Sequence, residues 1–334
     1  MPENCLSQTR FIMASQSLIT KVCNLFYKEG LAKTEIEKRL HISRFRVARL
    51  LKKAQETGIV KIEIHEPKHD LSDIERTLEK TTGLQNVILV KNDGEPTPQL
   101  KKKAGQAAAD YLVEVIRNHD VLGIGWGTTT YELVHALSQS IGKNLSVVQV
   151  SGGNTKLETG IDSQALTMQL AQKFGAAPHL LHAPAIVDRP DTRRMLLQES
   201  SLKDVFRLYK KIRLLVAGIG ALLPDRFVGS WANDPAEMEA LRRHGAVAEL
   251  LSYCFDLKGK LCPSRGRERT IAIPLEDIQR VPCCIGLAVG SEKAEAVLGV
   301  IRSGHINTLI TDTSTGRAIL NLLNNPNQIK GGKK

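Results

Sequence analysis

From Leu84 onward one pattern repeats: a short apolar run, then a segment whose apolar residues fall at helical spacing. The runs read "NVILV", "VLGIGWG", "LSVVQVSGG", "IRLLVAGIG", "TIAI", "CCIGLAVG" and "TLIT". Short runs of aliphatic residues without polar alternation suit strands covered on both faces, the condition of a parallel sheet layered with helices. An α/β domain with a largely parallel sheet is expected over 84–328, followed by a disordered tail, "IKGGKK", at 329–334. With 334 residues, 42% of them hydrophobic, the chain is long enough for two domains. Aromatics at 4% suit helices packed on a sheet better than a carbohydrate-stacking surface.

Ligands of such sheets collect at the carboxyl ends of strands, where loops feed helix N-termini. In "GIGWGTTTYELVHAL" a strand ends in Gly125, Trp126 and Gly127 and a helix begins near Thr128. Free amides and the hydroxyls of Thr128, Thr129 and Thr130 would suit a phosphate. Tight strand-to-helix packing is the equal alternative for the glycines. A dinucleotide site needs an acid at the end of the next strand, but "VQVSGG" ends with Ser151, and no G-x-x-x-x-G-K-[ST] occurs. Both nucleotide loops are disfavoured. Lys293, at a helix start in "AVGSEKAEAV", could neutralise a phosphate or be solvated. Glu249 in "AVAELL" could accept sugar hydroxyl protons or be a surface helix acid. Asp312 in "LITDTSTG" is placed to cap the last helix. His179 and His182 lack metal-ligand spacing and read as structural. No metal and no cofactor is expected. The six cysteines (Cys5, Cys23, Cys254, Cys262, Cys283, Cys284) form no C-x-x-C pair and read as reduced core thiols. No apolar run reaches the ~18 residues of a membrane span, so a soluble cytoplasmic protein without membrane contact is expected.

The first 66 residues differ in character. They carry 12 Lys/Arg against 7 Asp/Glu, and 38–53 holds seven cations and no acid. Charge concentrated in this way points to a polyanionic partner, and taken alone equally to solubility or an anionic lipid surface. In "SLITKVCNLFYKEG", Ile19, Val22, Cys23 and Phe26 share a helical face and Gly30 can stop the helix. "LAKTEIEKRLH" reads as a short second helix, with Ile36 and Leu40 inward, Thr34 and Glu37 as a capping box, and His41 in the turn. Ser43 caps a third helix. Its Val47, Leu50, Leu51 and Ala54 fall on one side, and Phe45, Arg46, Arg49, Lys52 and Lys53 on the other. Two short helices joined by a tight turn, the second apolar within and basic without, match a helix-turn-helix whose second helix enters the major groove. "GIVKIEI" adds a strand as a wing. The alternative is a solvated basic helix in an ordinary bundle. Candidate DNA contacts are Thr34, Ser43, Arg44, Phe45, Arg46, Arg49, Lys52 and Lys53. Residues 67–83, with Leu71, Ile74 and Leu78 at helical spacing, read as a linker helix between the winged domain of 1–66 and the α/β domain.

Together, "LAKTEIEKRLHISRFRVARLLKKAQETGIVKIEI", "GIGWGTTTYELV", "VQVSGG" and "LAVGSEKAEAVLGVIRSGHINTLITDTSTGRAIL" resemble the SorC family of bacterial transcriptional regulators over nearly the whole chain. The resemblance implies an N-terminal helix-turn-helix and an effector domain similar in fold to glucosamine-6-phosphate deaminase and ribose-5-phosphate isomerase. It implies a sugar or sugar-phosphate effector and a homodimer or homotetramer. Carried onto this sequence, it places the effector's phosphate on Gly125 to Thr130, with Ser151, Gly152, Gly153 and Asn154 beside it and Lys293 facing it. The chain departs from the family at Ala248-Glu249, where glycine-aspartate is common, and at Arg46 and Ala48, where a small hydroxyl residue is common. The expected function is a DNA-binding repressor of a carbohydrate operon, without catalysis. The alternative is an isomerase or deaminase fused to a DNA-binding module.

Overall fold

The computed structural model describes residues 17–61, 71–138, 144–153, 161–223, 231 and 234–325. The chain divides into two compact units, Met1–Lys68 and His69–Lys334. No helix among the described residues is long and apolar enough to cross a membrane.

The first unit packs three helices: α1 (17–28), whose last turn widens to π geometry over Asn24–Lys28, α2 (Lys33–Leu40) and α3 (Arg44–Glu56). Ile19, Val22, Cys23, Ile36, Val47, Leu51 and Ala54 form its buried core, with Phe26, Leu40 and Leu50 packed against it. Gly30 takes φ 68°, and His41 takes φ 52° at the end of α2, so both turns use the left-handed region expected of them. The cap of α2 differs from the expected Thr34 and Glu37 pair. Helix α2 begins two residues earlier, and the Glu35 carboxylate accepts the Ala32 amide at 2.7 Å. Alanine lacks the oxygen for the reciprocal bond, so only half of a capping box forms. The chain turns back at 58–61, with the Val60 amide donating to the Ala54 carbonyl. The rest of the expected wing, Ile62 to Ile64, lies outside the described residues.

The second unit opens with α4 (Leu71–Thr82), the segment expected as a linker. It is instead packed on β1 (Asn86–Val90), with Leu78 fully buried. β1 is an edge strand, and its outward amides need partners. Glu79 accepts the Val87 amide at 2.9 Å and Glu75 accepts that of Leu89 at 2.7 Å, so α4 closes the sheet edge.

The chain then runs through α5 (Thr97–Val115), β2 (Val121–Ile124), α6 (Thr128–Ala136), β3 (Ser146–Gln149), α7 (Ser163–Phe174) and β4 (Ala177–His179). It continues through α8 (Pro190–Leu196), α9 (Ser200–Tyr209), β5 (Ile212–Ala221) and α10 (Pro235–Arg243). A hairpin of β6 (Ala246–Leu250) and β7 (Tyr253–Asp256) follows, then α11 (Leu275–Ile278), β8 (Cys283–Leu287), α12 (Ala294–Arg302), β9 (Thr308–Asp312) and α13 (Thr313–Asn324). Strand order is β1-β9-β8-β5-β2-β3-β4, all parallel, with β6 and β7 added antiparallel to the far end of β5.

Alternate residues of each strand serve opposite faces. Leu122, Ile124, Leu214, Val216, Ile285 and Ile310 pack under α5, α6 and α7. Leu215, Ala217, Cys284 and Leu309 pack with Leu78, Val205, Val297 and Ile319 on the other face. "TIAI" is not a sheet strand. Thr270 and Ala272 make only isolated bridges, to Ile186 and Ser151, although Ile271 and Ile273 are buried. Its apolar character serves the core, and Pro274 ends it. The five described cysteines are unpaired thiols; Cys5 lies outside the described residues, as does 329–334.

The amino ends of β2 and β5 are strapped by one ion pair. Arg213 on β5 donates to Asp120 at 2.6 Å and to the Val115 carbonyl at 2.7 Å, while Asp120 also accepts the Arg117 amide. Burial acts to raise the Asp120 pKa, but the Arg213 bonds and the Arg117 amide outweigh it and hold the carboxyl below its ordinary value. A depressed folded pKa contributes stability above the unfolded value of about 3.9, and that contribution is lost as pH falls through the folded value. Asp120→Asn should therefore lower stability at pH 7 by about 3 kcal/mol, the low end for breaking a buried pair because Arg213 retains 22% exposure. It should also flatten the acid limb of stability below about pH 4 in chemical denaturation.

Candidate functional site

A cavity of about 360 Å³ opens at the carboxyl ends of the central strands. Three helix starts meet there: Thr97, Pro98 and Lys101 of α5, Gly127 and Thr128 of α6, and Glu292 and Lys293 of the 3-10 turn Ser291–Lys293 that leads into α12. α5 and α6 cover one face of the sheet and α12 the other. The cavity thus sits where neighbouring strands send their helices to opposite sides, the crevice in which open α/β sheets bind ligands. First-turn amides lack intrahelical acceptors and carry the positive end of the helix dipole. With the ammonium groups of Lys101 and Lys293, they give the cavity positive groups for an anion, beside the Glu292 carboxylate.

Another part of the lining is built by a change of partner along β5. Up to Gly218 the strand pairs parallel to β8, and from Ile219 to Ala221 it pairs antiparallel to β6. This places Glu249 across from Gly220, 3% exposed and lining the cavity. The hairpin turns on Leu251 and Ser252, at φ 51° and 70°. Two successive left-handed residues form the usual tight hairpin turn, normally made with Asn and Gly. Here the surroundings hold it: Trp231 donates its indole N–H to the Ser252 carbonyl at 3.1 Å, and the Tyr253 hydroxyl donates to the Ile273 carbonyl at 3.1 Å. Leu251 fills the space that a side chain at Gly125 would need, its Cδ2 lying 2.5 Å from that ideal Cβ position. Burial pushes the thiol of Cys254, the cross-strand partner of Glu249, well up, and the Glu249 charge adds to the effect.

Asp312, at the carboxyl end of β9, fastens the Lys293 turn. It caps α13 through the amides of Ser314 (3.0 Å) and Thr315 (3.2 Å), as its sequence position implies, and it also accepts the Gly290 amide at 2.8 Å. Burial alone would raise its pKa, but the Ser314 and Thr315 hydroxyls and the Gly290 amide hold it low.

Of the effector residues expected from sequence, Trp126, Gly127, Thr128, Glu249 and Lys293 line this cavity. Gly125 lies beneath it, against Leu251. Thr129 and Thr130 turn inward, 4% and 0% exposed, and the Thr130 hydroxyl has no hydrogen-bond partner among the described residues. Ser151 is buried, and Gly152 and Gly153 bond to the Ile271 and Ala183 carbonyls, away from the cavity lining. Asn154 lies outside the described residues. Thr97, Lys101, Glu292 and Leu251 join the site without having been singled out by sequence. Lys101 follows β1, four places from β2 in the sheet, and only the packing of α5 on α6, with Gly105 against Glu132 and Leu133, brings it to the site.

In the first unit, α3 buries Val47, Leu51 and Ala54 and turns Arg44, Phe45, Arg46, Arg49, Lys52 and Lys53 to solvent, with Thr34 exposed on α2. The Ser43 hydroxyl accepts the Arg46 amide at 3.3 Å, which sets where the helix begins.

Known proteins agree with this architecture. Residues 66–321 match the Sugar-bind family of sugar-binding domains. The chain is 28% identical over 309 residues to the deoxyribonucleoside regulator of Bacillus subtilis (strain 168), spanning 92% of this chain and 98% of that protein. It is 28% identical over 311 residues to the sorbitol operon regulator of Klebsiella pneumoniae, spanning 91% and 97%. The crystal structure of the full-length sorbitol operon regulator SorC from Klebsiella pneumoniae matches with a TM-score of 0.72, over 91% of this chain and 98% of that one. Fold and site therefore define a transcriptional regulator that joins a helix-turn-helix to a sugar-binding α/β domain. The chain belongs to the SorC family of these regulators.

The first glycine of "VQVSGG" has a structural task that can be checked directly. A Cβ on Gly152 would lie 2.4 Å from the Pro184 carbonyl carbon, a backbone atom that no rotamer change can move. Gly152→Ala should lower stability by about 1–3 kcal/mol in chemical denaturation, as overpacking does.

Proposed function

We propose that the chain represses a carbohydrate-metabolism operon, binding operator DNA through the outer face of α3 and releasing it when a phosphorylated sugar enters the cavity. The observation that carries this reading is the convergence of three helix starts and two lysines on one cavity that a buried carboxylate also lines. A phosphate suits the helix starts, where amides and ammonium groups stabilise a dianion. Sugar hydroxyls suit Glu249, which can accept their protons in hydrogen bonds. Trp126 and Leu251 offer apolar surface to the carbon skeleton. The relatives named for sorbitol and deoxyribonucleosides support a carbohydrate-derived effector. We assign operator contact to 1–66 and effector binding and self-association to 84–328. Pairing of two chains would present two α3 helices to half-sites about one helical turn apart. Release requires only that the effector favour the state with weaker DNA affinity, because coupling is a difference in binding free energy.

A thermal-shift screen of sugar phosphates beside their unphosphorylated parents tests the reading. Ligand at a hundredfold excess over Kd should stabilise the chain by about 2.7 kcal/mol. Lys101→Ala and Lys293→Ala should weaken the shift while leaving operator binding unchanged. Stabilisation by neutral sugars alone, undiminished in both variants, would refute the phosphate assignment. The same phosphates, incubated with the protein, should be recovered unchanged, which separates regulation from isomerase or deaminase activity. For DNA, Arg49→Ala should reduce the slope of log K against log salt by about 0.9 if Arg49 neutralises one phosphate.

A further inference from the structure

Phe45 is the most exposed large apolar side chain among the described residues, at 81%. It is not on a fraying end. Ser43 caps α3 two residues before it, the left-handed His41 sets the preceding turn, and Val47 and Leu51 anchor the opposite side of the helix in the core. The ring therefore stands at a fixed place on the second residue of α3. Arg44 lies 6.0 Å from its centroid, and a shallow hollow beside it is lined by Ala32, Lys33, Thr34 and Ala48. Arg46 and Arg49 flank it on the exposed face. An apolar ring set among cations calls for a partner that is anionic in bulk yet offers apolar groups at the point of contact.

We propose that Phe45 reads thymine, its ring packing on the C5-methyl of one or two thymines in each operator half-site. The inference rests on the assignment of α3 to operator DNA and adds what this residue selects. N-terminal residues of a recognition helix approach base edges in the major groove. Phenylalanine has no hydrogen-bonding group, so it cannot sort bases by donors and acceptors. The thymine methyl is the apolar feature of a major-groove edge. Wedging between base steps, the other use of such a ring, belongs to proteins that enter the minor groove, which is too narrow for α3. Arg46 and Arg49 supply the phosphate or guanine contacts that hold the ring in register.

Duplexes that bind the full chain are selected from a random pool, and each thymine of the consensus is then replaced singly by deoxyuridine, which removes only the methyl. Affinity is read by fluorescence anisotropy. The wild type should lose about fourfold at one or two thymines per half-site, the worth of one buried methyl, and be indifferent elsewhere. Phe45→Ala should bind thymine and deoxyuridine duplexes alike, with the wild-type salt slope, because no phosphate contact is removed. Phe45→Leu should keep part of the discrimination. Indifference of the wild type to every replacement, or unchanged sensitivity in Phe45→Ala, overturns the inference while operator binding itself stands. Failure of the chain to select any duplex overturns both.

Discussion

Burial of β5 on both faces organises the larger unit. Leu214 and Val216 are packed beneath α5, α6 and α7, and Leu215 and Ala217 beneath the opposite layer. A strand in this position can expose no backbone group unpaired, so β2 and β8 must lie on either side of it. Their helices leave for opposite faces, and the gap between those helices is the cavity. Past Gly218 the strand has outrun β8 and takes β6 as its partner, which brings a carboxylate to the same gap. Binding site and core are thus two consequences of one strand.

The lining of the cavity comes from two kinds of backbone. Helix starts supply amides and the positive ends of dipoles together with Lys101, Glu292 and Lys293, and strand β6 supplies Glu249. Both parts are held from behind. Asp312 binds the Gly290 amide beneath Lys293, and Trp231 binds the Ser252 carbonyl beneath Leu251. Two non-glycine residues in the left-handed region cost about 1–2 kcal/mol each, and such strain persists only where the surroundings over-determine it. The hairpin turn is therefore a rigid piece of the wall rather than a loose loop.

The smaller unit achieves its surface by the reverse arrangement. Its core of short helices is small, and α3 uses its inward side wholly for that core. Five exposed cations and one aromatic ring remain outside with no packing task. Apart from the i,i+4 pair of Lys52 with Glu56, the cations of α3 are left to face a polyanion.

Local chemistry made much of this legible in the sequence. The caps at Ser43 and Asp312, the turns at Gly30 and His41, the two-sided burial of "NVILV" and "IRLLVAGIG", and the inward and outward sides of α3 all follow from interactions between residues a few positions apart. So did the loop from Trp126 to Thr128, because a strand end and a helix start are both local events. Lys101 and Glu249 reached the site by another route: Lys101 through the packing of α5 across the sheet onto α6, Glu249 through the switch of β5 from β8 to β6. Thr129 and Thr130 left it because the first turn of α6 points them into the core. Periodicity encodes which side of an element is buried; only tertiary packing decides which elements are neighbours, since strand order is settled by the summed burial of many distant residues and by no single stretch of chain.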